Sequence, residues 1–239
     1  MVMTRSHHHH DHHDHADLTL EEMREALTRE FWDERYAGSE RVWSGRPNQR
    51  LVEQTADLTP GRACDIGCGE GADAIWLAEQ GWDVTALDVS LVALDRTARH
   101  AIERGVDDRV KVGEYDVLGS HPPRKPRRSK GFDLVSAHFM HVPREDFDDV
   151  YRRIAAAVAP GGRLLVVAHH PDDVESGARQ SHGPGLMFPP EQLLSALGVA
   201  GGSSDEWEVE VADDPVREQQ MEDGPMQVRD TVVRLRRRS

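Results

Sequence analysis

One short stretch constrains the fold of this chain more than any other. It is Cys64-Asp65-Ile66-Gly67-Cys68-Gly69-Glu70-Gly71, in which an acidic residue and three alternating glycines follow an apolar run. Seventeen residues after Gly71, a second apolar run ends in Asp88. Glycines at a strand-to-helix turn let the backbone approach a ligand closely, and a carboxylate about 20 residues further on accepts hydrogen bonds from ribose hydroxyls. The pattern therefore predicts a nucleoside pocket.

Asp65 helps to choose between two nucleoside ligands that the glycines alone leave open. The stretch Gly67-Cys68-Gly69-Glu70-Gly71-Ala72 also satisfies the looser Gly-x-Gly-x-x-Gly/Ala fingerprint of dinucleotide-binding proteins. An acidic side chain just before the turn would repel a pyrophosphate, whereas it would attract the ammonium and sulfonium charges of S-adenosylmethionine. The sequence therefore favours S-adenosylmethionine.

The same residues resemble a known family. The Asp-x-Gly-x-Gly-x-Gly spacing, followed by an acid that closes the second strand, resembles motif I and its partner in class I S-adenosylmethionine-dependent methyltransferases. The resemblance extends from about Phe31 to the C-terminus. It implies an α/β, Rossmann-like fold with a mainly parallel seven-stranded sheet, helices on both faces and an antiparallel C-terminal hairpin. It also implies that S-adenosyl-L-methionine is the cofactor and S-adenosyl-L-homocysteine the product.

Hydrophobic periodicity predicts a matching series of elements. A capping box at Thr19 indicates a helix that runs to about Tyr36, and a second short helix starts near Pro47 or Asn48. The strands are expected at 62–66, 83–87, 109–112, 132–138 and 163–168, with helices at about 72–80, 90–105 and 146–159. Two last strands, 207–211 and 231–235, are joined by a polar link without a crossover helix, which predicts an antiparallel hairpin.

The resemblance implies a set of cofactor-binding residues in this domain. The glycine turn would wrap the methionine and ribose portions, with Asp65 orienting the amino group and Asp88 accepting the ribose hydroxyls. Val89 would pack on the adenine, and Asp116 would face its amino group. As isolated residues, Asp88 and Asp116 would be read as turn or loop acids. The full set is Asp65, Gly67, Cys68, Gly69, Gly71, Asp88, Val89, Asp116, Val117 and Ser136.

An aromatic segment precedes the first strand. The run Phe31-Trp32-Asp33-Glu34-Arg35-Tyr36, with Trp43-Ser44-Gly45 after it, resembles the N-terminal segment of thiopurine and tellurite-resistance methyltransferases. This implies that residues 18–60 form a helical lid, in which Trp32 and Tyr36 shield a charged sulfonium from water. Arg46 or Arg35 would pair with the methionine carboxylate. The alternatives are that the aromatic residues only pack the helix onto the sheet and that both arginines are surface residues.

Two histidines follow the fourth predicted strand. His138 and His141 lie in Ser136-Ala137-His138-Phe139-Met140-His141-Val142-Pro143, where methyltransferases acting on adenine or glutamine carry Asn/Asp-Pro-Pro-Tyr/Phe. The absence of that motif weakens the case for N-methylation of nucleic acid. A histidine has a pKa of about 6.5, which suits it to taking a proton from an attacking hydroxyl or thiol. We therefore predict His138 and His141 as catalytic residues, with satisfied structural histidines as the alternative.

Composition restricts the classes of partner. At 239 residues and a formal net charge of −14, the chain fits one domain over 61–239 and disfavours a dedicated nucleic-acid binder. Cys64 and Cys68 are poorly placed to bridge, and two reduced thiols suit a cytoplasmic protein. The sequence contains no apolar segment long enough to cross a bilayer. We therefore expect a cytoplasmic protein without a membrane partner, and the oligomeric state stays open.

Two biased segments stand apart from this domain. Residues 1–17 form a disordered, histidine-rich tail that binds divalent metal adventitiously, and no fixed metal site is predicted. The tail is either a solvated or tag-derived segment or a physiological metal binder. The basic insertion 119–131 carries five basic residues and is predicted to be a mobile loop. The alternative interpretation is that this loop contacts RNA.

These features together predict transfer of the sulfonium methyl to a small-molecule nucleophile by in-line displacement. Thiols and metalloid oxyanions would need no strong base, whereas a hydroxyl or carboxylate acceptor would use one of the two histidines. The alternatives are an RNA or protein methyltransferase and a non-enzymatic donor-sensing or metal-handling protein.

Overall fold

One eight-stranded sheet forms the centre of the molecule. The computed structural model describes residues 24, 27–140, 142–176, 187–199, 201–221 and 224–239. Its strands are β1 Arg62–Ile66, β2 Asp83–Asp88, β3 Val110–Glu114, β4 Phe132–His138, β5 Val158–His169, β6 Trp207–Asp213, β7 Val216–Met221 and β8 Gly224–Arg237. Their order is β3-β2-β1-β4-β5-β8-β6, and β7 pairs with β8. β1 to β5 are mutually parallel, and β8 runs antiparallel to β5, β6 and β7.

Helices cover both faces of this sheet. They are α1 Arg29–Ala37, α2 Gln49–Thr55, α3 Ala72–Glu79, α4 Leu91–Arg104, α5 Phe147–Ala155, α6 Asp172–Glu175 and α7 Pro190–Ala196. Apolar residues of α2, α3 and α4 pack in one buried cluster, and those of α5 and α7 pack in the other. β1 contributes Ala63 to the first cluster and Cys64 and Ile66 to the second, because successive strand residues point to opposite faces. No helix in the ranges given above is long and apolar enough to cross a lipid bilayer.

The strand order places a crevice between β1 and β4. The chain adds β2 and β3 on one side of β1, and then β4 and β5 on the other side. In open parallel sheets, ligands bind beyond the carboxyl ends of the strands where the order reverses in this way. The turn after β1 and the end of β4 both lie at that position, so the fold brings the predicted glycine turn and His138 to one crevice.

The predicted architecture is confirmed, and several boundaries agree closely. β1 and β4 have the predicted bounds, and α4 begins after Ser90, whose Oγ accepts a hydrogen bond from Ala93 N at 3.1 Å. The same helix ends at Gly105, which has a φ of 67° that suits glycine. α2 follows Asn48, whose side chain caps Arg50 N at 2.8 Å.

Several elements differ from the sequence-based expectation, and the sheet has eight strands where seven were predicted. The last strand begins at Gly224 instead of 231, and the helix predicted to reach 159 ends at Ala155. The predicted helix from Thr19 to Tyr36 begins at Arg29 in the described part of the chain, because the Thr28 hydroxyl accepts the Phe31 N–H and caps a helix there. Thr19, where the prediction starts, lies outside the described residues.

β5 begins at Val158, five residues early, because Val158 pairs with Phe132 ahead of a register shift. β7 lies in the segment that was predicted to be a polar link. It forms a strand because it pairs with β8, which its polar composition did not indicate.

Candidate active site

The turn after β1 is a tight loop whose main chain is anchored on β2. Gly67, Gly69 and Gly71 have φ values of 68°, 54° and 85°, a region that side chains with a Cβ rarely adopt. Leu87 O accepts hydrogen bonds from Gly67 N at 2.8 Å and from Cys68 N at 3.0 Å. Gly69 N donates to Asp88 Oδ2 at 2.8 Å, and Gly71 N donates to Cys68 O at 2.9 Å. The main-chain N–H groups of all four residues therefore already donate hydrogen bonds to acceptors within the protein.

Asp65 lies buried beneath this loop with half of its carboxylate unpaired. Ser136 Oγ donates to Asp65 Oδ1 at 2.9 Å, which explains why the structure brings these two predicted residues together across β1 and β4. Among the described residues, Asp65 Oδ2 has no hydrogen-bond partner. Burial, reinforced by the nearby Asp73 carboxylate, raises the pKa of Asp65 to about 7. An unpaired buried oxygen is costly, so this atom marks a position where a ligand donor would be stabilised.

Asp88 ends β2 and holds both the glycine loop and the start of α4. Its Oδ2 accepts from Gly69 N, and its Oδ1 accepts from Ser90 N at 2.9 Å. Burial raises the pKa of Asp88, although these hydrogen bonds from the main chain act in the opposite direction. A carboxylate offers about four acceptor positions, so capacity remains for ribose hydroxyls. Val89, which follows it, is half-buried.

Cys68 contributes its main chain to the loop, whereas its thiol faces the core. Cys68 is buried, and its Sγ lies 4.0 Å from Thr97 Oγ1. Burial raises the pKa of the thiol well above its usual value. Cys64 is also buried, and both cysteines are free thiols. Neither thiol is a candidate nucleophile, because a reactive cysteine needs a stabilised thiolate.

The N-terminal aromatic residues lie on the glycine loop. Tyr36 is buried, and its hydroxyl accepts a hydrogen bond from Trp43 Nε1 at 2.9 Å. A Cβ added to Gly69 would lie 2.9 Å from Tyr36 Oη and 3.2 Å from Trp43 Nε1. The loop and this aromatic pair are therefore in direct contact, and only glycine leaves room for them at position 69.

A cation already occupies the aromatic faces of the N-terminal segment. The Arg35 guanidinium carbon lies 5.7 Å from the ring centroids of both Trp32 and Trp43. Trp32 also packs against Tyr36 with 6.0 Å between ring centroids. Trp32 and Trp43 thus engage Arg35 as their cation–π partner in this arrangement. Arg46, the predicted partner of a ligand carboxylate, is exposed.

His138 forms a hydrogen-bonded pair with Asp73, a residue that no sequence motif singles out. His138 Nδ1 and Asp73 Oδ2 are 2.7 Å apart, and Asp73 Oδ1 accepts the main-chain N–H of Asn48 at 2.6 Å. Within the described part of the chain, His138 Nε2 is buried without a partner. Asp73 lies in the first turn of α3, where acidic residues are common because they interact favourably with the helix dipole. Its position in the sequence therefore does not indicate a role in the site. His141, the second predicted catalytic residue, lies outside the described residues.

Asp65, Asp73 and His138 form a compact polar group. One potential ligand atom from each lies within 4.8 Å of the others, which is the only such histidine–carboxylate group found in the described ranges. Two carboxylates and an imidazole are a donor set that also suits a divalent cation. The same spacing suits an organic ammonium held by Asp65.

The last predicted cofactor residues lie further along the sheet edge. Asp116 follows β3 and is exposed, and its Oδ1 accepts a hydrogen bond from Leu118 N at 2.8 Å. Val117 is half-buried against the cluster that includes β4 and α5. In the residues that the structure describes, no hydrogen bond joins Asp116 to the glycine loop. Its adenine role therefore stays a prediction.

Comparison with known proteins identifies the family of this domain. Residues 63–162 match a family model described as a methyltransferase domain. The 27-O-demethylrifamycin SV methyltransferase of Amycolatopsis mediterranei is 32% identical over 158 residues, covering 63% of this chain and 54% of that protein. The ribosomal RNA small subunit methyltransferase C of Alcanivorax borkumensis is 28% identical over 118 residues, covering 46% of this chain and 33% of its own length. The chain thus spans about a third to half of these relatives.

A solved structure supports the same fold. TehB from Haemophilus influenzae superimposes with a TM-score of 0.61 over 88% of this chain and 67% of that chain, at 17% sequence identity. That identity is low enough for the likeness to concern the fold alone. Together with the matching family model and the related sequences, it agrees with the glycine loop, the β2 acid and the antiparallel β8. The chain therefore carries a class I S-adenosylmethionine-dependent methyltransferase domain.

Proposed function

We propose that this chain is an enzyme that transfers a methyl group from S-adenosylmethionine to a small-molecule nucleophile. The observation that carries the proposal is the unpaired, buried Oδ2 of Asp65 beneath the glycine loop. When bound, the cofactor supplies a methyl group on a positively charged sulfur, and its ammonium group is a donor of the kind that this oxygen lacks. The residues present therefore fit the cofactor that the family implies.

The hydrogen bonds of the loop argue against a dinucleotide ligand. A pyrophosphate is held by free main-chain N–H groups at a glycine-rich turn. The amides of Gly67, Cys68, Gly69 and Gly71 are all committed to protein acceptors. A buried carboxylate below the same turn adds repulsion. This combination favours a cationic ligand over the dehydrogenase alternative.

The other residues would bind and shield this ligand. Asp88 keeps acceptor positions for the ribose hydroxyls, next to the loop that it anchors. Tyr36 and Trp43 cover the loop at Gly69 and would limit the access of water to the charged sulfur. Because the donor carries its own leaving group, alignment of the two reactants and exclusion of water are the main tasks left to the protein.

The acceptor is a thiol, a metalloid oxyanion, or a hydroxyl or carboxylate oxygen. Soft nucleophiles need no strong base, whereas a hydroxyl acceptor needs a group that takes its proton. His138, with an unpaired Nε2 at the end of β4, is our candidate for that base. The relative from Amycolatopsis is named for an oxygen methylation, which supports the oxygen class without identifying the acceptor.

A product assay tests the proposed function directly. S-adenosylhomocysteine and methylated product are measured by mass spectrometry across a panel of thiols, phenols, carboxylates and metalloid oxyanions. We expect equal amounts of both products with one acceptor class, and their loss in Asp65→Asn. Tight cofactor binding without turnover on any acceptor would instead indicate a donor-sensing protein, and a response to NAD without cofactor binding would indicate a dehydrogenase.

An RNA acceptor is the second candidate, favoured by two observations. The rRNA methyltransferase from Alcanivorax is among the relatives, and the insertion between β3 and β4 presents exposed basic residues, namely Arg124, Lys125, Arg127, Arg128 and Lys130. RNA binding through this loop would weaken steeply with salt and would be lost when the five residues are replaced by glutamine. If methylation of a small acceptor is unaffected by that replacement, the loop is not part of the acceptor site.

A further inference from the structure

The environment of His138 differs between its two ring nitrogens. Nδ1 lies 2.7 Å from Asp73 Oδ2, whereas Nε2 is buried and has no partner in the described part of the chain. The side chain of His138 is only 5% exposed. A histidine ring whose one nitrogen is fixed by a carboxylate has its tautomer and its orientation set by that contact.

The environment of Asp73 indicates which partner carries the shared proton. Asp73 Oδ1 accepts the main-chain N–H of Asn48 at 2.6 Å, so the carboxylate already receives one donor. Hydrogen bonds from main-chain N–H groups stabilise the ionised form of a carboxylate. An ionised Asp73 can only accept, so the proton between it and His138 belongs to Nδ1. The lone pair of the neutral ring is then on Nε2.

We infer that Asp73 is a positioning residue that holds His138 with Nδ1 protonated, so that Nε2 serves as the base for a hydroxyl acceptor. This inference rests on the proposed function for the role of His138. The acceptor hydroxyl loses its proton to Nε2, the Nδ1 proton stays on the ring, and the positive charge of the imidazolium faces the Asp73 carboxylate. The proton then passes to solvent, and His138 returns to its neutral form.

The same contact links the base to the N-terminal segment. Asn48 caps α2 and precedes the buried Leu51, so its main chain is fixed by that helix. Asp73 in turn follows the glycine loop by two residues. The carboxylate therefore joins the entry to α2, the glycine loop and the end of β4, and it holds His138 beside the cofactor loop.

Asp73→Asn gives a sharp test because the two amide atoms have opposite hydrogen-bonding roles. The amide oxygen still accepts from Asn48 N–H, which leaves the amide NH2 to face Nδ1. Nδ1 must then be unprotonated, and the proton moves to Nε2, which can no longer act as a base. Glu79→Gln, in the same helix, removes a carboxylate that pairs with Arg104 away from the site, and it serves as the matched control.

The first measurement is the tautomer of His138 by 15N NMR in the protein without cofactor. We expect a protonated Nδ1 in the wild type and in Glu79→Gln, and a protonated Nε2 in Asp73→Asn. A wild-type ring protonated on Nε2, or an unchanged tautomer in Asp73→Asn, would overturn the inference. The tautomer is measured without turnover, so this result does not depend on whether the proposed function is correct.

The second measurement separates positioning from a purely structural role. With a hydroxyl acceptor, kcat of Asp73→Asn should fall about 100-fold, while cofactor affinity measured by calorimetry changes little. The loss should be much smaller with a thiol acceptor supplied above its pKa. Combined with His138→Gln, the double variant should be no slower than His138→Gln alone, because both changes remove one function. Additive losses, or equal losses with both acceptors, would contradict the inference.

Discussion

Glu70 and Arg96 form a nearly buried ion pair, with 2.7 Å between Oε1 and Nη1 and side-chain exposures of 6% and 11%. Glu70 Oε2 also accepts the main-chain N–H groups of Val42 and Trp43, at 3.1 and 3.0 Å. Arg96 donates to the main-chain carbonyls of Tyr36 and Ser39. One pair of charges therefore fastens the aromatic segment to both the glycine loop and α4.

Arg96→Met should loosen this attachment. Removal of one partner leaves Glu70 as a buried charge, which costs about 3–5 kcal/mol of the free energy of unfolding. We expect a lower midpoint in urea denaturation and weaker cofactor binding, because Tyr36 and Trp43 are no longer held on the loop. Arg99→Met on the same helix removes an exposed pair with Asp95, and it should cost about 1 kcal/mol or less. Equal effects of the two variants would show that the buried pair has no special role.

Gly69→Ala tests the contact between the loop and the aromatic residues. An added Cβ would lie 2.9 Å from Tyr36 Oη, in a backbone with a φ of 54°. Gly105→Ala introduces a Cβ at a φ of 67° with no atom within 4 Å, so it carries backbone strain without crowding. Such strain costs about 1–2 kcal/mol. Gly69→Ala should destabilise more than this control and should also change Trp fluorescence. Equal stability of both variants would indicate that Tyr36 does not rest on the loop.

Much of this fold was predictable from the sequence because its signals are local. Apolar runs bounded by glycine or serine predicted the limits of β1, β4 and α4. Glycine allows the turn that ends an element, and serine caps the start of a helix, so these limits are visible in the sequence. β7 was missed because its sequence is mainly polar and forms a strand only through pairing with β8. The helix start at Arg29 was missed because the helical periodicity continues through Thr28.

The candidate site was predicted in part, for a similar reason. Asp65, Asp88 and the three glycines belong to one continuous motif and its partner, so their positions follow from spacing. Asp73 and Glu70 act through partners far away in the chain, His138 and Arg96, and no local pattern reveals such pairs. Arg35 over Trp32 and Trp43 was likewise a contact that spacing could not assign.

Asp88→Asn should weaken cofactor binding strongly. The amide keeps the shape of the carboxylate but loses the negative charge, and one of its two ends can only donate. Charged hydrogen bonds contribute about 1.5–3 kcal/mol, which corresponds to an affinity loss of about 10- to 100-fold. Asp83→Asn, at the other end of β2 and paired with Arg109, is the control and should bind normally. Normal calorimetric affinity in Asp88→Asn would exclude the ribose role.

The raised pKa of Asp65 should make cofactor affinity and protein stability depend on pH in opposite directions. Burial, with the Asp73 carboxylate adding to it, raises this pKa to about 7, so the carboxyl is neutral below that pH and ionised above it. A cationic ligand needs the ionised form, and its affinity should therefore fall about tenfold from pH 8 to pH 6. In the unfolded chain the pKa is about 4, so between pH 4 and 7 the folded state binds more protons. The contribution of Asp65 to stability without ligand should therefore rise as the pH falls through this window, by up to about 1.4 kcal/mol per pH unit.

Asp65→Asn isolates this residue from the other groups that titrate in the same range. The variant should bind the cofactor weakly, with a shallower dependence on pH, and should lose the corresponding part of the pH dependence of stability. Calorimetry at pH 6, 7 and 8 and urea denaturation of the protein without ligand at pH 5 to 8 provide the two sets of values. Because the amide does not titrate, the difference between wild type and variant reports Asp65 alone. A wild type whose cofactor affinity is constant from pH 6 to 8 would mean that Asp65 does not hold the cationic part of the ligand.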